Sequence, residues 1–305
     1  MRIAITGAGG RLGRALYAAL LNSSRLDPIE VSTWSRPHYD LDDPRAAERL
    51  VARDRPDLVI HAAAWTDVDG CAADPVLAER RNGTAVAELA SACARSRVDL
   101  IFISTNEVFD GRRADGRGYR PDDPVGPINA YGASKLAGEI AAGRAFDREP
   151  PGAARLGIVR TAWLFGAPGG DFPEKILRAG RRAAQAGEAL RVVADEIGCP
   201  TYAPDLAAAI AELVAYRRFA GIRHVVNEGV ASRAEWAEEV IELADVAVPL
   251  ERVPSSGWRR ASTPPAWAVL EPGEADVPRL RSWREAIREY IPFLLQELAL
   301  SAATQ

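Results

Sequence analysis

The chain opens on a strand that runs directly into a glycine turn. Arg2-Ile-Ala-Ile-Thr6 is followed by Gly7-Ala-Gly-Gly-Arg-Leu-Gly13, and a helical pattern, Leu12 to Leu21, starts inside that turn. No other feature restricts the fold as much. Glycines at 7, 10 and 13 permit a tight turn, close backbone approach to a diphosphate and close packing of helix on strand, while the helix N-terminus offers N–H groups without partners. Glycines in this spacing also make plain structural turns. The strand before and the helix after favour a turn that cradles phosphate, with Gly7, Gly10, Arg11, Leu12 and Gly13 against the ligand.

The alternation continues. Short apolar or β-branched runs at Ile29 to Trp34, Asp57 to His61, Leu100 to Ser104 and Gly157 to Arg160 are separated by helical patterns at Pro44 to Arg53, Pro75 to Ser96 and Tyr131 to Arg144. Strands that are apolar on both faces, each followed by a helix, predict a doubly wound parallel α/β sheet (Rossmann) with its ligand crevice at the strand carboxyl ends. From Gly166 the pattern loosens into Pro- and Gly-containing loops between helices such as Pro173 to Gln185 and Ala203 to Tyr216. The expected organisation is a dinucleotide-binding domain over 1–165 and a smaller α/β substrate lobe over 166–305. The strand-like run Gly221 to Asn227 predicts that 221–228 return to the first domain.

Composition narrows the function classes. With 48% apolar and 26% charged residues, 305 residues suffice for a large core, and a net charge of -4 without long like-charged blocks argues against nucleic acid or an anionic membrane as partner. No stretch reaches the roughly 20 apolar residues of a membrane helix, and the start has no secretory pattern, so a cytoplasmic protein is expected. Cys71, Cys93 and Cys199 are widely spaced and lack a nearby His cluster, which predicts reduced thiols and no metal.

Three strand ends carry candidate chemistry. The second ends Trp34-Ser35-Arg36 without the acid that would bind a ribose 2′-hydroxyl, so Ser35 and Arg36 predict a 2′-phosphate and NADPH, with NADH as the other possibility. Arg36 as a solvated surface residue is the bland alternative. Asp40 and Leu41 follow, where a carboxylate can accept from an adenine amine. The third strand ends His61-Ala62-Ala63-Ala64, small side chains suited to a cofactor lying across the sheet edge; His61 itself is expected to be a packed, hydrogen-bonded residue. The fourth ends Ser104-Thr105, ahead of Tyr131-Gly-Ala-Ser-Lys135. Tyr131 and Lys135 share a helical face, so the ammonium is expected to lower the phenol pKa and to bind a nicotinamide ribose, with Thr105 orienting the substrate oxygen. Such a pair also occurs on solvated helices; the glycine turn, the alanines and Thr105 set it apart.

The order TGAGGRLG, DLDDP, HAAAWTDVD, Asn82, STNEVFDG, YGASKLAGE, RTAWLFG and DEIGCPT resembles the extended short-chain dehydrogenase/reductases, and within them the dTDP-4-dehydrorhamnose reductase family. The resemblance runs from Met1 to about Thr201 and resumes over Leu280 to Leu294. It implies NADPH-dependent reduction of the C4 ketone of a dTDP-4-keto-6-deoxysugar, with Thr105, Tyr131 and Lys135 catalytic. It places Val68, Asp69 and Trp163 near the substrate, and Asp195 to Thr201 as a substrate-lobe loop facing the cofactor; Thr66, Asn106 and Glu107 are further candidates for substrate contact. A homodimer is possible.

Two departures stand out. The family usually has Ser-Thr-Asp-Tyr-Val-Phe where this chain has Ser104-Thr-Asn-Glu-Val-Phe109, and Arg-Pro-x-x-Ser-x-Leu where it has Pro264-Pro-Ala-Trp-Ala-Val-Leu270. The second puts the nucleotide grip in doubt, and Arg259 or Arg260 is a candidate replacement. Rival readings are a sugar-nucleotide 4,6-dehydratase with Glu107 as base, an epimerase holding NAD, a reductase of another nucleotide-linked ketodeoxysugar, and a non-catalytic NADP-binding regulatory subunit.

Overall fold

A computed structural model describes residues 1–26, 28–258, 260–272 and 276–303. The first half runs β1 (Arg2–Thr6), α1 (Arg11–Leu21), β2 (Glu30–Trp34), α2 (Ala46–Asp54), β3 (Leu58–His61), α3 (Val68–Ala73), α4 (Pro75–Ala78), α5 (Ala85–Arg95), β4 (Asp99–Thr105), α6 (Ala130–Asp147) and β5 (Leu156–Thr161). The second half runs β6 (Leu164–Phe165), α7 (Phe172–Ala186), β7 (Leu190–Val193), β8 (Ile197–Gly198), β9 (Thr201–Tyr202), α8 (Ala203–Ala215), β10 (Gly221–His224), β11 (Ala231–Ser232), α9 (Arg233–Leu243), β12 (Leu250–Val253) and α10 (Trp283–Ala303). Among the described residues no helix is long and apolar enough to cross a membrane.

Six parallel strands form the central sheet in the order β10-β5-β4-β3-β1-β2. Their apolar runs are buried on both faces. Ile3, Ile5, Ile60, Ile101 and Val159 pack under α1 and α8; Ala4, Val59, Leu100, Phe102 and Ile158 pack under α2, α5 and α6. The sheet is therefore the doubly wound one expected, and β10 lies at its edge beside β5. Helix α8, expected in the second lobe, packs on this sheet instead. Its Leu206, Ile210, Leu213 and Val214 bury against Leu12, Leu16 and Leu20 of α1, because an apolar helix returning to an uncovered sheet face buries more surface there than on the small lobe.

The second lobe has its own core, built from Ile176, Leu177, Trp236, Val240, Ile287, Tyr290 and Ile291 of α7, α9 and α10. Its helices start on local signals. Asp171 caps α7 by accepting from the Glu174 N–H at 3.0 Å, Gly187 ends α7 with φ +67°, and Ser232 with Glu235 forms a reciprocal capping box on α9.

The expected single helix over Pro75 to Ser96 is divided. α4 leads into a π-helical turn over Glu79–Thr84 before α5 begins. The wider turn lets Asn82 reach away from its helix: its Oδ1 accepts from Trp65 N at 2.8 Å, and its Nδ2 donates to Trp65 O at 2.9 Å and Ser134 Oγ at 3.1 Å. Asn82 thus fixes the segment after β3 to α6, and both border the site.

Candidate functional site

Because β1, β3, β4 and β5 are neighbours, the residues that follow them meet along one edge. Together with loops of the second lobe they enclose a cleft of about 760 Å³, within the usual range for small-ligand sites. Its walls include Gly7, Gly10, Arg11, Leu12, Gly13, Ala62, Ala64, Thr66, Val68, Asp69, Thr105, Asn106, Glu107, Tyr131, Lys135 and Trp163, all proposed from sequence. A depression of about 880 Å³ at the amino ends of the strands holds none of these groups, so strand polarity places the chemistry at the carboxyl end.

The glycine turn presents backbone. Gly10 caps α1, no side chain occupies that cap, and no acid sits in the first turn, so the positive helix end faces the cleft. Gly7 has φ +65°, and its N–H donates to Trp34 O at 3.0 Å, which brings the ends of β1 and β2 together. A Cβ at Gly13 would press into the Gly7 carbonyl and the Ala8 backbone. We expect Gly13→Ala to weaken NADPH binding at least tenfold and to lower the melting temperature. Titration and thermal melting check this; unchanged affinity and stability would show that the turn tolerates a side chain.

Ser35, Arg36, Asp40, Leu41 and Ala63 lie outside the cleft walls. Ser35 and Arg36 are exposed just beyond β2, beside the glycine turn, while Leu41 packs on the core under α2 and Ala63 packs beneath Gly7. Asp40 spends one oxygen on the Asp42 N–H at 3.0 Å, a local turn that the sequence reading missed. Arg11 also differs from expectation, because its guanidinium donates to Gly166 O at 2.8 Å and Gly169 O at 2.6 Å. It ties the turn to the loop entering the second lobe.

Tyr131, Lys135 and Thr105 are brought together as expected, but their electrostatics are not those expected. Burial raises the Tyr131 pKa well above its ordinary value; the Glu107 carboxylate adds to this and the Thr105 hydroxyl opposes it. Lys135 is 2% exposed, donates to Ile103 O at 2.7 Å and lies 4.1 Å from the Phe102 ring centroid, and burial pushes its pKa down to about 7. The ammonium therefore does not lower the phenol pKa here. Desolvation is the largest cause in each, and neither group is the other's main electrostatic neighbour: Tyr131 feels Glu107 and Thr105, and Lys135 feels Glu139. At neutral pH Tyr131 remains a protonated donor. His61, by contrast, is the packed residue expected: it hydrogen-bonds Thr6 at 2.8 Å, and burial holds it neutral with a pKa of about 3.

The second lobe contributes cations that no local motif marks. The Arg233 guanidinium lies 3.6 Å from the Trp163 ring centroid, and its side chain approaches Glu196 at 3.7 Å; burial lowers its pKa to about 10. Arg260 pairs with the same buried Glu196, and Lys175 completes the cationic wall. The other candidate replacement, Arg259, lies outside the described residues. No residue of Asp195 to Thr201 lines the cleft; that segment stands behind the wall, where Glu196 holds the two arginines and Asp195 accepts from the Ser255 N–H at 2.8 Å.

The departure Pro264 to Leu270 acts as a strap. Ala268 N donates to Ile197 O at 2.7 Å and Asn106 Nδ2 donates to Ala268 O at 3.0 Å, so the strap joins the end of β4 to the second lobe. Asn106 is 2% exposed, and these bonds, with the 3.2 Å bond from Thr105 Oγ1 to its Oδ1, occupy its amide. Its observed work is anchoring.

The family model described as the RmlD substrate binding domain matches residues 1–295. A dTDP-4-dehydrorhamnose reductase of Mycobacterium tuberculosis is 38% identical over 293 residues, covering 94% of this chain and 91% of the relative. The structure of a dTDP-4-dehydrorhamnose reductase from Clostridium acetobutylicum superposes with a TM-score of 0.86 at 29% identity, covering 97% of this chain and all of that one. The Bacillus anthracis enzyme in complex with NADP gives 0.83 at 29% identity, over 95% of this chain and 98% of that one.

Proposed function

As the chain belongs to the family defined by the RmlD substrate binding domain, whose reductase relatives match it nearly end to end, we propose that it reduces the C4 ketone of a dTDP-4-keto-6-deoxysugar with NADPH. dTDP-4-dehydrorhamnose is the substrate that the relatives favour, and dTDP-rhamnose the product. The observation that carries this reading is the convergence of Thr105, Tyr131 and Lys135 in the wall of one cleft that also takes in the glycine turn at the uncapped N-terminus of α1.

The cleft suits the cofactor. The first turn of α1 supplies backbone N–H groups for a diphosphate, Ala62 and Ala64 leave room at the sheet edge, and the exposed Arg36 beside the turn supplies a cation for a 2′-phosphate. Bound NADPH supplies hydride to the carbonyl carbon. Tyr131 donates its phenolic proton to the oxygen as charge develops there, and Thr105 hydrogen-bonds the same oxygen. Lys135, whose ammonium donates to Ile103 O in the free protein, would hold the cofactor's ribose, and its charge would favour the developing alkoxide. Trp163 and Arg233 wall the sugar side. The first experiment is loss of NADPH absorbance with dTDP-4-dehydrorhamnose, with the product read by NMR. Oxidation yielding dTDP-rhamnose supports the proposal, whereas binding without turnover would reject it.

Lys135 gives the reaction a pH signature. With its pKa near 7 in the free protein, the charged form is lost as pH rises through that value. We expect kcat/KM for NADPH to fall above about pH 7, and to fall less steeply in Lys135→Arg, whose charge persists. His61 and His224, both lowered to about 3, cannot produce that limb. A profile flat from pH 6 to 9 would exclude Lys135 as its source.

A further inference from the structure

We propose that Glu107 is a general base that exchanges the proton on a carbon next to the C4 ketone, a redox-neutral activity of this chain that needs no nicotinamide. The inference rests on the ketosugar reading above and concerns a residue which that reduction does not use.

Glu107 lies in the cleft wall, two residues after Thr105. Its Oε2 accepts from Asn129 Nδ2 at 2.7 Å, and Asn129 caps α6 through the Gly132 N–H at 2.8 Å, so the carboxylate is fixed to the helix end that carries Tyr131. Among the described residues, no cation pairs with it within 4 Å and its Oε1 accepts no hydrogen bond; Arg233 and Arg260 act on it only through space. Glu107 is part-buried, and desolvating a carboxylate without a paired cation costs free energy. Burial raises its pKa, which suits a base. Thr105 and Tyr131, which border the same space, provide the hydroxyls that hold the ketone oxygen.

The chemistry balances without an oxidant. Glu107 takes the proton from C3 or C5, the C–H electron pair moves into an enolate whose oxygen Tyr131 and Thr105 hydrogen-bond, and the Glu107 proton equilibrates with water. Return of a solvent proton from the same carboxyl regenerates the ketosugar with its configuration retained, because a single base addresses one face.

The bland alternative is that Glu107 only secures Asn129. Glu107→Gln separates the two, since the Gln carbonyl can accept from Asn129 while the amide cannot act as a base. The test is incubation of dTDP-4-dehydrorhamnose in D2O with the protein and no NADPH, following the C3 and C5 proton signals by NMR against a protein-free control. NADPH oxidation is measured on the same preparation, and the melting temperature of each protein is recorded. We expect loss of one signal with the wild type, at a rate reduced at least a hundredfold in Glu107→Gln and reduced much further than NADPH oxidation is. A wild type that oxidises NADPH without exchange, or exchange that survives in Glu107→Gln, would overturn the inference while leaving the reductase reading intact. Absence of both exchange and oxidation would overturn the reductase reading and this inference with it.

Discussion

Tyr131→Phe is expected to lower kcat for NADPH-dependent reduction by about a hundredfold or more, the range spanned when a general acid is removed. In the proposed reaction the phenol is the proton donor beside Thr105 and Lys135, and desolvation keeps it protonated at neutral pH. The substitution removes one oxygen from a half-buried ring, so packing is kept and cofactor affinity should change by less than about threefold. Residual turnover would come from Thr105 and from water entering the space. Stopped-flow single-turnover rates with NADPH and dTDP-4-dehydrorhamnose, alongside NADPH titration, separate the chemical step from binding. A variant with wild-type single-turnover rate would remove Tyr131 from the proton-transfer role and leave Thr105 to be examined as donor.

Arg160→Met carries the largest expected effect on stability. Arg160 on β5 and Glu139 on α6 form a two-pronged pair at 3.0 and 2.7 Å, with side chains 3% and 4% exposed. Ser104 donates to the same carboxylate, and Arg160 also donates to Pro121 O at 3.2 Å. Removing the guanidinium leaves Glu139 charged in a dry interior, which costs about 3–5 kcal/mol where buried pairs of this kind have been broken. At this chain length that corresponds to a fall of roughly 5–8 °C in melting temperature. Adding Glu139→Leu to Arg160→Met should recover more than half of the loss, since the orphaned charge then disappears with its partner. Calorimetry or chemical unfolding of both variants decides. A single variant within about 1 kcal/mol of wild type would mean that water reaches the pair. The same carboxylate raises the affinity of Lys135 for its proton, so the pair links sheet stability to the proposed site.

How much of the site was legible depends on sequence distance. The glycine turn, the alanines after β3, Thr105, and Tyr131 with Lys135 each lie within a few residues of a strand or helix end, and the doubly wound topology brings those ends to one edge. Their grouping followed from local pattern alone. Arg233 gave no such sign: it stands behind the capping-box residue Ser232, and only the packing of α9 against Trp163 turns it toward the cleft. Nor did Pro264 to Leu270 announce itself as a strap, because its bonds run to Gly111, Tyr119 and Ile197, partners that sequence spacing does not reveal. The π-helical turn at Glu79–Thr84 interrupted a smooth apolar periodicity for the sake of the bonds made by Asn82.

The amino-acid sequence determined the sheet, the glycine turn and the grouping of Thr105, Tyr131 and Lys135, because these arise from hydrophobic period, glycine geometry and short spacings that act before the chain is compact. Tertiary structure decided the protonation states and the second wall. The Tyr131 phenol is shifted opposite to what its spacing from Lys135 suggests, since desolvation is a property of everything packed around it, and Arg233 and Arg260 meet Glu196 only through the packing of the second lobe. Burial depends on the whole fold, and no local window of residues contains it.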